Sequence, residues 1–303
     1  ASLSCAHELR KQGHAAVLFD KRPLPGGLNT TGIAPYKMMA DAGLAEVQWI
    51  VESMGIELRT EVEVGIDISW EQLLSDFDAV FLGVGLGPDS QLKIDGEGLD
   101  GVVGGVDVIE RWKTGGDSLL EGVDEAIVIG GGNTSLDVVR ELLVLDIPHV
   151  TLVYRRGEAR MPGYEHEWDY AKKEGASASF HTRPDGLVDD GEGRVAGLRC
   201  LHTEPDPSDP GGRKLQDVEG SEFLLPAQLV VVAAGQGKLE VLLGSIPGVE
   251  LDWGRVVVDD EQRTGNPRIF AGGDVSNGGK EVVNAAAEGK LAAKSIHTLL
   301  SGS

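Results

Sequence analysis

Residues 126–137, Ala126-Ile-Val-Ile-Gly-Gly-Gly-Asn-Thr-Ser-Leu-Asp137, constrain the fold of this chain more than any other stretch. The apolar run into Gly130-x-Gly132-x-x-Ser135 reads as a buried strand, a tight turn and the start of a helix. Each small residue has a separate task. Gly130 permits the sharp turn, Gly132 lets backbone approach a pyrophosphate, and Ser135 allows the helix to pack close to the strand. Amides at the helix N-terminus then face the phosphates, where the peptide dipoles favour negative charge. A strand, this turn, a helix and a second strand at 150–154 together form a dinucleotide-binding unit.

The end of that second strand indicates which dinucleotide. A carboxylate there bonds the ribose hydroxyls of NAD, whereas cations suit the 2′-phosphate of NADP. The chain places Tyr154-Arg155-Arg156 at this point, with Arg160 close behind. Guanidinium groups donate paired hydrogen bonds to phosphate oxygens. The expectation is NADP(H), with NAD(H) as the alternative.

Composition narrows the rest. A length of 303 residues suffices for two ordinary domains, and no apolar run approaches the roughly 20 residues of a membrane helix. A formal net charge of −22 argues against nonspecific nucleic-acid binding. Cys5 and Cys200 form neither a C-x-x-C pair nor a metal-ligand cluster. Dithiol chemistry of the thioredoxin-reductase kind and iron–sulfur ligation within the chain are therefore disfavoured, and a cytoplasmic setting is expected.

Taken in order, the chain opens inside an amphipathic helix, followed by a strand at 14–20 ending in Asp20. This is the second half of a dinucleotide-binding unit whose first strand and glycine turn would precede residue 1. Asp20 sits where a carboxylate bonds an adenosine ribose, and equally where an Asp caps a turn. A helix over 38–54, strands over 56–64 and 78–85 and a short helix over 70–76 continue the alternation, which implies a mostly parallel sheet. Residues 98–105 read as a soft junction, and a complete second unit follows. A helix is expected over 164–173, antiparallel strands over 187–223 with a hairpin tip at 205–212, and a buried strand over 227–235. Short strands at 255–258 and 267–274 precede a final helix over 282–300.

Several stretches now converge. Asp20-Lys-Arg-Pro-Leu-Pro-Gly-Gly-Leu28, Gly32-Ile-Ala-Pro-Tyr-Lys37, Gly83-Val-Gly-Leu-Gly87, Ile129-Gly-Gly-Gly-Asn-Thr-Ser-Leu-Asp137, Val153-Tyr-Arg-Arg156 and Ala271-Gly-Gly-Asp-Val275 span nearly the whole chain. In this order they resemble the glutamate synthase small-subunit family, which includes the amino-terminal part of dihydropyrimidine dehydrogenase and its bacterial electron-input subunit. The resemblance implies an α/β fold with two Rossmann-like dinucleotide-binding domains. An NADP(H) domain over 104–224 would be inserted into a discontinuous FAD domain formed by 1–103 and 225–303, with that domain's first strand and glycine loop missing.

By the same resemblance, Asp20 and Lys21 would lie at the adenosine ribose of FAD, and Gly26, Gly27 and Leu28 along the flavin. Lys37 and the backbone at Val64 are further expected FAD contacts. Gly273 and Asp274 would meet the ribityl chain, and Glu281 and Val282 the pyrimidine edge. For NADP(H), Gly130, Gly131, Gly132, Asn133 and Thr134 would hold the pyrophosphate. Arg155, Arg156 and Arg160 would take the 2′-phosphate, and Ala234 and Gly235 the nicotinamide end. The implied activity is that of a flavoprotein passing hydride from NADPH to FAD and electrons to a partner subunit or domain, including iron–sulfur partners. Because the cofactors carry the chemistry, no catalytic acid, base or nucleophile and no metal site is expected. The rival reading is a truncated, non-catalytic NADP(H)-binding module without stable FAD.

Overall fold

The structure, a computed structural model, describes residues 1–116, 118–209 and 214–302. It divides into two compact units, one of Ala1–Thr30, Ala40–Pro88 and Gly237–Ser303, the other of Thr31–Met39 and Asp89–Gln236.

The second unit is built on a five-stranded parallel sheet. Its strands run in the order Val102–Gly104, Leu229–Val232, Glu125–Ile129, His149–Tyr154 and Ser177–Phe180. Consecutive residues of the strand at 125–129 serve opposite faces, as a pleated strand requires. Ala126 and Val128 join a core with Val108, Leu136, Val139 and Trp168 from the helices Gly105–Lys113, Asn133–Val144 and Glu165–Glu174. Ile127 and Ile129 face the other way, onto Leu198 and Cys200. That layer is an antiparallel sheet of Thr182–Asp189, Val195–Pro205, Leu215–Asp217 and Phe223–Pro226. Ile127, Val128, Leu152 and Val230 are at most 1% exposed, and each stabilises the fold by about 1.5–3 kcal/mol relative to an exposed side chain.

Register levels the carboxyl ends of these strands. Gly104 lies opposite Val232, Val232 opposite Ile129, Ile129 opposite Val153, and Val153 opposite Ser179. The chain therefore leaves all five strands along one edge, where open α/β sheets bind ligands.

Two elements differ from the sequence reading. The junction expected over 98–105 contains the edge strand Val102–Gly104, because Val102 and Val103 pair in parallel with Val230 and Val231. The strand Ser177–Phe180 was not expected, since Ser-Ala-Ser-Phe has no apolar run. It forms through register with Thr151–Tyr154 and a 2.9 Å contact between Thr151 Oγ1 and Ser177 Oγ. The hairpin tip expected over 205–212 falls partly outside the described residues, from Pro210 onward.

In the first unit, Val17–Phe19 pairs in parallel with Glu57–Arg59, and Val80–Leu82 with Ile269–Ala271. The 56–64 strand is thus shorter than expected, with Val64 making an isolated bridge to Ile68. Helices Ser2–Lys11 and Val282–Ser301 pack through small residues, Cys5 against Ala292 and Ala293. A Cβ at Gly289 would stand 2.3 Å from the Ala1 carbonyl oxygen, so only glycine allows this approach. Helix Ala40–Met54 ends at Gly55 with φ 60°, and Trp70–Asp76 starts where Ser69 Oγ accepts the Gln72 amide. No helix among the described residues is long and apolar enough to cross a membrane.

Candidate functional site

The glycine turn of the second unit is shaped by what surrounds each glycine. Gly130 has φ 147°, and a Cβ there would lie 2.3 Å from the Ala233 carbonyl oxygen. A Cβ at Gly131 would meet the Tyr154 ring at 2.6 Å. At Gly132 an added Cβ would meet nothing within 4 Å. The first two glycines are filled from within the protein, and the third opens outward. Behind them Ser135 is fully buried, and its hydroxyl donates to the Gly132 carbonyl at 2.6 Å. The N-cap residue of Asn133–Val144 is Gly132, which makes no side-chain cap bond to the first turn. An uncapped 12-residue helix beneath an open glycine fits a pyrophosphate.

A second segment braces the turn. The Gly163 amide donates to the Gly131 carbonyl at 2.9 Å, and the Tyr164 amide to Asn133 Oδ1 at 2.9 Å. Tyr154 lies under Gly131 and donates its hydroxyl to the Arg160 carbonyl at 2.8 Å. The arginine pair is likewise held by its backbone: Thr203 Oγ1 donates to the Arg155 carbonyl at 2.7 Å, and the His181 amide to the Arg156 carbonyl at 3.1 Å. Arg155 and Arg160 are exposed, and neither pairs with an acid among the described residues. Arg156 is half-buried. Arg155 and Arg156 thus sit on fixed backbone directly after Tyr154, whose ring lies under Gly131. Ala234 and Gly235 are exposed past the neighbouring strand, with the Ser90 amide donating to the Gly235 carbonyl at 2.9 Å.

In the first unit, Asp20 is half-buried after its strand, and Oδ1 accepts the Arg22 amide at 3.0 Å. Burial pushes its carboxyl above the usual aspartate range, against the opposing pull of that amide and the nearby cations. Lys21 is exposed, 3.9 Å from Glu63. Gly26 has φ 110°, and a Cβ there would strike the Thr30 hydroxyl at 2.3 Å, whereas Gly27 faces open space and Leu28 is exposed. Gly273, with φ 80°, leads into Asp274, whose Oδ1 accepts the Lys280 amide at 3.2 Å. Glu281 is the N-cap position of Val282–Ser301 without a side-chain cap bond; both Glu281 and Val282 are exposed. Val64 is half-buried against a core that includes Leu73 and Ile269.

Lys37 takes part in a network of the second unit. Its ammonium contacts Asp137 at 2.5 Å and Glu167 at 2.9 Å, and Arg140 joins Glu167 and Glu174 at 2.7 Å each. The Tyr36 amide donates to Glu141 Oε2 at 2.9 Å. Burial alone lowers the Lys37 pKa, but the bonds to Asp137 and Glu167 outweigh it and hold the pKa above its ordinary value. Sequence reasoning overlooked Asp137 and Glu141 as partners. Their signal is two acids at i and i+4 on a helix whose intervening apolar residues are all buried.

The family model for pyridine nucleotide-disulphide oxidoreductases matches residues 1–289. The chain belongs to that family. It is 37% identical over 98% of its length to the glutamate synthase [NADPH] small chain of Escherichia coli, spanning 66% of that protein. It is 35% identical over 99% of its length to the NADP(+)-dependent formate dehydrogenase subunit beta of Moorella thermoacetica, spanning 42% of that protein. The chain thus covers less than two-thirds of these relatives. Among solved structures, Mycobacterium tuberculosis FprA in complex with NADPH matches with TM-score 0.78 and 19% identity, over 99% of this chain and 82% of that one. The thioredoxin reductase of T. acidophilum matches with TM-score 0.76 and 20% identity, over 99% of this chain and 95% of that one. The resemblance and the fold class read from sequence are both borne out. Cys5 and Cys200 are buried in different units, and burial pushes each thiol up to about 12.

Proposed function

We propose that the chain is the FAD- and NADP(H)-binding part of an oxidoreductase of the glutamate synthase small-chain type. When bound, FAD takes up hydride from NADPH and passes electrons on to a partner subunit or domain. The observation that carries the reading is Gly132, open above a helix start without a side-chain cap, next to Gly131 over the Tyr154 ring, which the exposed Arg155 follows directly in the chain.

Asn133 and Thr134 offer their amides to the pyrophosphate of NADP(H), and Gly130 and Gly131 give the turn its shape. Arg155, Arg156 and Arg160 neutralise the 2′-phosphate, and Ala234 with Gly235 border the nicotinamide end. In the first unit Asp20 takes the adenosine ribose of FAD, with Lys21 beside it. The Gly26–Gly27–Leu28 turn and the Val64 backbone run along the cofactor. Gly273 and Asp274 hold the ribityl side, and the uncapped helix start at Glu281 and Val282 favours negative charge on the ring. Lys37 acts through Asp137 and Glu167 in the second unit, and direct contact with FAD is the weaker assignment for it.

The test is a visible spectrum of the purified chain before and after incubation with FAD, followed by addition of NADPH without oxygen. Flavin absorbance that bleaches with NADPH is the expected result. A colourless protein that takes up no FAD, yet binds NADPH, would identify a nucleotide-binding module instead.

A further inference from the structure

The turn between the strand Ile269–Ala271 and the helix Val282–Ser301 contains one helical turn, Asp274–Asn277, closed by the Asn277 amide on the Gly273 carbonyl and the Gly278 amide on the Asp274 carbonyl. Gly273, Gly278 and Gly279 all have positive φ, at 80°, 83° and 108°, and glycine turns lose much conformational freedom on folding. One side chain ties this turn down from outside it. Glu288, half-buried on the last helix, accepts the Gly273 amide on Oε2 at 2.6 Å. Its two oxygens also accept Asn277 Nδ2, each at 3.0 Å. Asn277 in turn accepts the Gly279 amide on Oδ1 at 3.0 Å. A Cβ at Gly272 would stand 3.2 Å from the Glu288 Cβ, so the strand end and the helix are in close approach there.

We propose that Glu288 is the positioning residue of the flavin-facing turn, fixing Gly273 and Asp274 through its bonds to the Gly273 amide and the Asn277 side chain. This rests on the FAD reading given above. A carboxylate suits the site because both of its oxygens face donors: Oε2 accepts the Gly273 amide and Asn277 Nδ2, and Oε1 accepts the same Asn277 nitrogen. Glutamine keeps one acceptor for Gly273 but turns an NH2 toward the NH2 of Asn277, and two donors then face each other. The clash is removed by reversing the partner. In the Glu288→Gln/Asn277→Asp pair, Gln donates to Asp, and Asp still accepts the Gly279 amide.

The experiment measures FAD and NADPH dissociation constants separately in the parent chain, Glu288→Gln, Asn277→Ala and the exchanged pair. Hydrogen exchange across 273–279 is followed in the same proteins. Glu288→Gln should weaken FAD binding about tenfold or more, and Asn277→Ala should act in the same direction. Both should speed exchange across the turn and leave NADPH binding within about twofold. The exchanged pair should regain most of the FAD affinity. FAD binding unchanged in Glu288→Gln, or lost without rescue in the exchanged pair, would overturn the proposal and leave the FAD reading standing. A parent chain that binds no FAD would overturn both. Asn277→Ala carries the test if Glu288→Gln does not fold.

Discussion

Lys37 Nζ lies 2.5 Å from Asp137 Oδ1, joining positions 100 residues apart in sequence. Asp137 is 9% exposed on the helix that starts at the glycine turn, and Glu167 shares the same ammonium. Replacing Lys37 with Met leaves Asp137 without its lysine and Glu167 with Arg140 alone, at a cost of about 1 kcal/mol because the lysine is partly exposed to solvent. Denaturant unfolding should show this loss in Lys37→Met and a smaller one in Lys37→Met/Asp137→Asn. Equal losses in the two would assign the effect to packing of the lysine stem.

Two glutamates of this network give opposite pH dependences. In Glu167, the hydrogen bonds from Lys37 and Arg140 outweigh burial and hold the pKa below its ordinary value. In Glu141, burial raises it, opposed by the Tyr36 amide and reinforced by Asp137. A lowered folded pKa gives stability that is present above the ordinary value of about 4.3 and lost as pH falls through the folded pKa. A raised one gives stability that is full below the ordinary value and lost as pH rises through the folded pKa. Glu167→Gln should therefore flatten the acid limb of a stability–pH curve. Glu141→Gln should remove a decline on the side above the ordinary glutamate pKa. The reverse assignment of limbs would contradict the geometry.

Gly132→Ala separates binding from folding. The position has φ −90°, and a Cβ there meets no protein atom within 4 Å. Stability should stay within about 0.5 kcal/mol of the parent, because the substitution touches nothing. The methyl instead stands where a pyrophosphate would approach, so NADPH affinity should fall about tenfold or more. Calorimetric titration beside a thermal unfolding scan reads both. A destabilised protein with intact binding would show that the opening has another use.

Replacing Arg155 and Arg156 together with Ala should weaken NADPH binding by about 10- to 100-fold, the scale of two lost charge-assisted hydrogen bonds. NADH, which lacks the 2′-phosphate, should change by less than about threefold. Parallel titrations of the two nucleotides make the comparison. Equal losses for both would refute the phosphate role.

The glycine turn was legible because its physics is local. Ser135 bonds the Gly132 carbonyl three residues back, Gly130 takes a φ of 147° that the motif itself announces, and the apolar run at 126–129 is buried throughout. The strand Ser177–Phe180 escaped notice because its evidence lies in the register with Thr151–Tyr154, not in its own residues. Lys37 was placed by resemblance alone, while its partners Asp137 and Glu167 lie about a hundred residues or more downstream in sequence. Tyr154 under Gly131 and Gly163 bonded to its carbonyl were invisible for the same reason. Glu288 looked like one more polar residue on an alanine-rich helix until the turn folded against it.

The nine residues Thr31–Met39 belong to the second unit while the chain on either side belongs to the first. The second unit is therefore not one contiguous stretch of chain. A gene fragment cut at 89 and 236 would leave Tyr36 and Lys37 behind, taking the Tyr36 amide from Glu141 and the Lys37 ammonium from Asp137 and Glu167. Anyone grafting this unit onto another protein, or exchanging it between relatives, has to carry the nonapeptide along as a second piece. Recombination in nature meets the same obstacle, since four crossings of the chain must be matched where a simple insertion would need two.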